Sequence, residues 1–291
     1  MKTLIGRILA RRYLLVAFAI VATPVFPFVA TALLMLETAR RGALGGSVSA
    51  AAGMLGVAII AFFLQAGFNS LVLLAAVAMF AGVGMGALLR WSGGLGLAFQ
   101  ATVTFCLVAA LVVGILGPDP QVYLGPVIER LAEALRVSGA SEQDIAALVE
   151  GAPMLLSVLM AGVLLQAVWA LLLGYWWITL ARGTDGFGSA FRALRLGRVL
   201  GITSMLLLVL GLIPGFTAVQ SLSPLVVFCF LFQGLAVVHA WAHAQRWHPL
   251  ATSAAYLLLI PPITPIGVIG LSATGLVDNI FDLRAPLGAP Q

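Results

Sequence analysis

The chain has 291 residues, 62% of them hydrophobic and only 9% charged, where an ordinary soluble domain carries roughly a quarter charged residues. A mean hydropathy of +1.13, sustained from the first quarter to the last, excludes a soluble globular enzyme and a soluble domain on a single anchor; it leaves a polytopic membrane protein. The net charge of +5, from 15 Lys and Arg against 10 Asp and Glu, is therefore a topology signal to be read loop by loop, and does not point to nucleic acid.

The N-terminus carries Lys2, Arg7, Arg11 and Arg12 ahead of an apolar run and then Ala30-Thr31-Ala32, a pattern that imitates a secretory signal peptide. The run continues from Leu14 to Leu36, past the candidate cleavage site, so it reads as a retained first span. Division at charges and turn residues predicts an all-α bundle of about eight transmembrane helices. They cover 14–36, 45–65, 69–89, 96–116, 153–181, 199–213, 217–238 and 250–277, in a single integral membrane domain over 1–291. None of these segments holds Asp, Glu, Lys or Arg. Most have the ~20 residues that a helix needs to cross the hydrocarbon. Continuous rather than alternating apolar runs favour helices over a barrel, because each segment must satisfy its own backbone in lipid. The sixth is short, and either begins inside the preceding loop or tilts into protein contacts.

The long loop 117–152 is predicted to lie on the membrane surface as two amphipathic helices. In the first, Val127, Ile128, Leu131 and Leu135 recur at helical spacing, with Pro126 suited to an N-terminal turn. In the second, Ser141 is the expected N-cap, with Asp144 three residues on. Six acidic residues against two Arg exclude a basic lipid-binding patch here. The loop 182–198 has the opposite sign, with Arg182, Arg192, Arg195 and Arg198 around Phe187, Phe191 and Leu194, and reads as a headgroup-contacting turn. Trp91, Trp176, Trp177, Trp241 and Trp247 fall near span ends, as an aromatic belt requires.

Orientation is balanced. With a cytoplasmic N-terminus, its side collects Lys2, Arg7, Arg11, Arg12, Arg130, Arg136 and Arg284, seven of the 15, and the other side takes eight. The weight of the first span favours N-terminus in, on a bacterial inner membrane.

Catalytic signatures are sparse. A single lysine, Lys2, leaves no P-loop and no Schiff-base lysine. Gly82-x-Gly84-x-Gly86 lies within an apolar span and suits close helix packing rather than a dinucleotide. Cys106 and Cys229 lie in apolar runs and read as packing residues. His239 and His243 are four apart, with His248 following, but no carboxylate or thiol accompanies them, so no metal and no cofactor is expected. Asp278 and Asp282 are also four apart, with Arg284 two residues on. They read either as acids gating a cavity or engaging a partner, or as a helix end paired with arginine. In a simple eight-span topology the His and Asp pairs fall on opposite membrane faces; a re-entrant last segment, for which Pro261-Pro262-Ile-Thr-Pro265 offers a break, would undo that. The first span has a comparable cluster, Pro24-Val-Phe-Pro27. Such interruptions occur at transporter binding sites, and also as kinks tolerated for packing. Neutral polar residues in or near spans, including Gln65, Gln100, Gln166, Gln233, Thr102 and Ser204, are expected to bond between helices or to line a ligand cavity.

Gln233-Gly-Leu-Ala-Val-Val-His239, followed by Gly275-Leu-Val-Asp278-Asn-Ile-Phe-Asp282-Leu-Arg284, resembles the YybS-like family of bacterial integral membrane proteins, a family of unknown function. Glu37-Thr-Ala-Arg40-Arg41-Gly42, Leu89-Arg90, Trp176-Trp177 and Phe191-Arg192-Ala-Leu-Arg195-Leu add to the resemblance, which covers nearly the whole chain. The resemblance implies Gln233, Gly234, His239, Asp278, Asp282 and Arg284 as signature or ligand-binding positions. It also suggests a distant similarity to the substrate-binding subunits of energy-coupling-factor vitamin transporters, compact bundles that hold a neutral or weakly charged molecule. The expectation is a non-catalytic small-molecule binding or transport component. The alternative is a structural or assembly protein of the envelope that docks membrane-protein partners through its loops.

Overall fold

In a computed structural model, residues 11–64, 68–116, 120–213, 217–220, 222–261 and 263–285 are described. Lys2, Arg7, Gln65 and Pro262 lie outside them. The described residues form helices and turns with no strand. In chain order the helices are α1 (Arg12–Ala22), α2 (Pro27–Leu64), α3 (Phe68–Ser92), α4 (Leu95–Leu116), α5 (Pro120–Val137), α6 (Glu142–Glu150) and α7 (Ala152–Arg182). They continue as α8 (Gly186–Arg192), α9 (Arg198–Gly211), α10 (Thr217–Gln220), α11 (Ser223–Ala244), α12 (Pro249–Leu257) and α13 (Thr264–Phe281). Six of these are long and apolar enough to cross a membrane: α2, α3, α4, α7, α11 and α13. Two further apolar helices, α1 and α9, are shorter. Side chains such as Phe63, Leu73, Phe105, Val163 and Ile269 are exposed along these helices, which in this class of protein is a surface for lipid.

The chain divides into two compact units, one of 1–102, 165–195 and 287–291, the other of 103–164 and 196–286.

In the first unit, the expected span 14–36 is not one helix. Pro24 and Pro27 interrupt it: α1 ends at Ala22 and α2 begins at Pro27, since proline withdraws a backbone donor and disfavours helix in the residue before it. Arg12, at the start of α1, reaches Gly45 and Ser49 of α2 and stands 3.8 Å from Glu37. The two pieces therefore fold back on one another. A second reversal follows at Gly42 (φ 85°, ψ 170°), which splits α2 into arms 27–41 and 43–64. A Cβ on Gly46 would strike the Thr38 side chain, a contact that residues eight apart in a straight helix, about 12 Å along its axis, could not make. Gly42 occupies backbone space essentially closed to other residues. No atom lies within 4 Å of the position a Cβ would take there, so Gly42→Ala tests conformation alone. It should lower the unfolding free energy in detergent by about 1–3 kcal/mol. Gly84→Ala, also in open space but within α3, should leave it unchanged or slightly raised.

Close glycine contacts seat the first arm of α2. Added Cβ atoms on Gly82 and Gly86 of α3 would meet the carbonyls of Thr31 and Met35, and one on Gly174 of α7 would meet Met35. Two glycines of the run in the third predicted span, Gly82 and Gly86, thus serve close packing, as their setting suggested, while Gly84 faces open space. The arginine-rich loop is also built inward: Phe187 stacks on Phe191 with centroids 6.0 Å apart and lies 6.4 Å from Tyr175. Phe191 and Leu194 are buried, and the Arg195 carbonyl accepts from Gln100. The loop is more than a headgroup-contacting turn.

In the second unit α11 is the central helix; 67% of its best apolar window is buried, against 28–39% in the other five. The surface loop forms the two expected helices. Ser141 and Asp144 make a reciprocal capping box, and the Ser141 hydroxyl and amide hold the Asp144 carboxyl below its ordinary range. Arg136, bonded to Glu142 at 3.2 Å, joins the two helices. Leu124 and Ile128 are buried against Leu148 and Leu156. One expectation is corrected: Pro126 is interior, because α5 begins six residues earlier at Pro120. The last predicted span, 250–277, also breaks, ending α12 at Leu257 and restarting at Thr264.

Candidate functional site

Four of the six residues singled out in the sequence, Gln233, Gly234, Asp278 and Arg284, meet where α11 crosses α13. Gly234 and Gly275 face each other across the crossing: a Cβ on Gly234 would strike the Leu271 carbonyl, and one on Gly275 the Phe230 carbonyl. Ser272 Oγ donates to the Val227 carbonyl at 2.7 Å. With the backbones this close, Gln233 Nε2 donates to Asp278 Oδ2 at 2.7 Å and the Leu196 amide donates to Gln233 Oε1 at 3.0 Å. The Leu196 donor fixes which end of the amide is oxygen.

Arg284 completes the cluster. Its Nε donates to Asp278 Oδ1 (3.1 Å) and its Nη2 to Oδ2 (2.6 Å), the two-pronged geometry that guanidinium and carboxylate share. Gln233, Asp278 and Arg284 are 0%, 2% and 7% exposed, so the charges are removed from solvent as a satisfied pair. Asp282 has a different task from Asp278. It ends α13 in the left-handed conformation (φ 49°), its amide donating to the Asp278 carbonyl at 2.9 Å. That turn carries Arg284 back over the helix end; aspartate is among the few residues that tolerate it. Gly234 is a packing residue, and the Gln233 amide and the Asp278 carboxylate bond to one another within the protein.

The paired contacts 227–272, 230–275, 233–278 and 241–283 run in the same order along both helices. α11 and α13 are therefore parallel, and the short α12 with the turn after it returns the chain between them. This corrects the expectation that the His and Asp pairs lie on opposite faces: Trp241 Nε1 donates to the Leu283 carbonyl at 3.2 Å, so both pairs belong to one end of the unit. His239 Nδ1 lies 2.8 Å from the Leu235 carbonyl and its Nε2 3.1 Å from the Tyr256 hydroxyl. His243 is exposed. Among the described residues no three of His, Cys, Asp and Glu are grouped to hold a metal ion.

A second charged centre lies in the first unit, and the sequence reading missed it. Glu37 is 1% exposed and its Oε1 stands 3.0 Å from Arg41 Nε and 3.4 Å from Ser49 Oγ. Arg12 reaches the same place, donating to Ser49 Oγ at 2.8 Å and to the Gly45 carbonyl at 2.9 Å. The two arginines are 39% and 45% exposed, so the carboxylate is buried beneath a half-exposed cationic rim. Arg90 donates to the Ala39 carbonyl at 3.0 Å, a helix-end acceptor with no partner further along the arm. The hydroxyl of Thr38 is buried with no hydrogen-bond partner among the described residues. The signal was present, because Glu37 follows an unbroken apolar run and precedes Arg40-Arg41-Gly42.

No family model matches this chain, and comparison with curated proteins and with solved structures found no match.

Proposed function

We propose that the protein is a non-catalytic small-molecule binding or transport component of a bacterial inner membrane, with its working centre in the broken-helix unit around Glu37. The observation that carries this reading is a buried carboxylate bridging two half-exposed arginines at a double chain reversal. An ionisable residue at a helix interruption is where membrane transport proteins put their ligand contacts, because the interrupted backbone offers donors and acceptors that a continuous helix does not. Arg12 and Arg41, positioned by Glu37, suit a small molecule with a weak negative charge. Arg12, Arg40, Arg41 and Arg90 crowd one end of this unit, and the positive-inside tendency turns that end, with the N-terminus, to the cytoplasm. Eight apolar segments then embed in the bilayer, α1 and α9 as short ones. We also propose, on the residues Gln233 to His239 and Gly275 to Arg284 alone, that the chain belongs to the YybS-like family and is distantly similar to vitamin-transporter substrate subunits.

The alternative, an assembly protein docking partners, draws on the α5–α6 platform, where Val127, Leu131, Val137 and Val149 stay exposed beside acidic residues. Native mass spectrometry of the purified protein separates the two. A small-molecule adduct on the wild type that Glu37→Gln loses, in a variant that still purifies folded, is the expected result. Co-isolation of a protein subunit with no such adduct would overturn it in favour of docking.

A further inference from the structure

A cleft of about 250 Å³ opens between α9 and α13 in the second unit. Its lining is graded. Arg198, Asn279 and Ile280 lie toward one end; Ile202, Met205 and Leu276 make up the rest. Gly201 forms the floor, and a Cβ there would strike the Asn279 amide, so the missing side chain is what admits the asparagine. Contacts of 201 with 279 and the shared lining by 205 and 276 make the two helices antiparallel. The polar end therefore coincides with the first turn of α9 and the last of α13, where an apolar helix pair reaches the membrane surface. Ile202 and Ile280 are each 53% exposed, so the cleft is open on the side that faces lipid.

We propose that this cleft binds an anionic phospholipid, with its phosphate on Arg198 and Asn279 and part of one acyl chain along Ile202, Met205 and Leu276. Three observations favour that occupant. Among the described residues Arg198 forms no ion pair; of the two acids at that end of α13, Asp278 is held by Arg284 and Gln233, and Asp282 caps the helix without pairing with Arg198. A guanidinium without an ion-pair partner beside a side-chain amide is a phosphate-binding pair. The volume lies below the roughly 300–1,000 Å³ of sites that enclose a soluble ligand, yet it suits a segment of one chain. The apolar part continues outward into bilayer-facing surface, which a free phosphate would not require. This site lies in the second unit and does not depend on the role proposed for Glu37.

The test is native mass spectrometry of the full chain in mild detergent, titrated with phosphatidylglycerol and, separately, phosphatidylcholine, with inorganic phosphate as competitor. The wild type should retain phosphatidylglycerol preferentially. Arg198→Gln should weaken that lipid roughly five- to tenfold and erase the preference, since one surface cation contributes about that factor toward an anionic lipid. Met205→Trp, which fills the apolar part and leaves the charge, should weaken both lipids. Both changes are outside the buried Asp278 cluster, and an unchanged unfolding midpoint checks the fold. Equal phosphatidylglycerol binding by wild type and both variants would overturn the proposal. So would effective competition by millimolar inorganic phosphate, which would make the site one for free anions.

Discussion

Asp278→Asn is expected to lower the unfolding free energy by about 3–5 kcal/mol, the cost of leaving a buried guanidinium without its carboxylate. Arg284 is 7% exposed and both of its bonds to Asp278 lie within hydrogen-bond distance, so neither water nor a small side-chain movement can replace the lost charge. The substitution is nearly isosteric, which separates the electrostatic loss from a cavity. The double variant Asp278→Asn/Arg284→Gln removes both charges, and should be less destabilised than Asp278→Asn alone, with a coupling energy of about 1 kcal/mol or more. Unfolding of the purified protein by SDS, followed by tryptophan fluorescence, measures both. A single variant as stable as the wild type would show that the Asp278–Arg284 pair is solvated and does not hold the second unit together.

The next largest effect is expected at the crossing itself. Gly275→Ala and Gly234→Ala each place a methyl group on the carbonyl of the opposite helix, at Phe230 and at Leu271. Backbone cannot rotate away as a flexible side chain can, so the helices must separate, at about 1–3 kcal/mol for each change. One separation relieves both clashes, and the double variant should therefore cost less than the sum of the singles. Separation also lengthens the 2.7 Å Gln233–Asp278 bond, which ties the packing to the charge cluster. Gly270→Ala, on the same helix but with no atom within 4 Å, should be neutral or slightly stabilising because alanine favours helix. If Gly270→Ala were as costly as Gly275→Ala, general helix strain, not the crossing, would be the cause.

The sequence reading and the structure part company at two particular residues. Glu37 and Asp278 each fall one position beyond a predicted span, because spans were divided at charges, yet both lie inside helices and are nearly inaccessible. A charge-free window locates lipid-facing segments well, since an isolated charge in hydrocarbon is costly. It misplaces a charge that brings its own partner, and partnership is a property of folded distance. Arg12 is 25 positions before Glu37, and Gln233 is 45 before Asp278. The proline clusters were visible as breaks, but the residues alone do not distinguish a kink from a reversal. Contacts of Arg12 with Gly45 and Ser49 and the parallel course of α11 and α13 make that distinction. The capping box at Ser141 and Asp144 needed no tertiary help, because it is complete within four residues.

Composition and periodicity alone marked this chain as helical, with segments apolar enough to cross a membrane. With 62% hydrophobic residues in recurring runs that are continuous rather than alternating, helices rather than a closed barrel satisfy the backbone hydrogen bonds in lipid. They also placed every charge outside the predicted spans, in termini and loops. Only the tertiary structure decided what those charges do. It set Arg284 on Asp278, Arg12 and Arg41 around Glu37, and left Arg198 beside an open apolar cleft. The reason is one of range: burial preferences act residue by residue and are legible in a linear pattern, whereas the pairing that makes a buried charge tolerable depends on helix reversals and close crossings between distant segments.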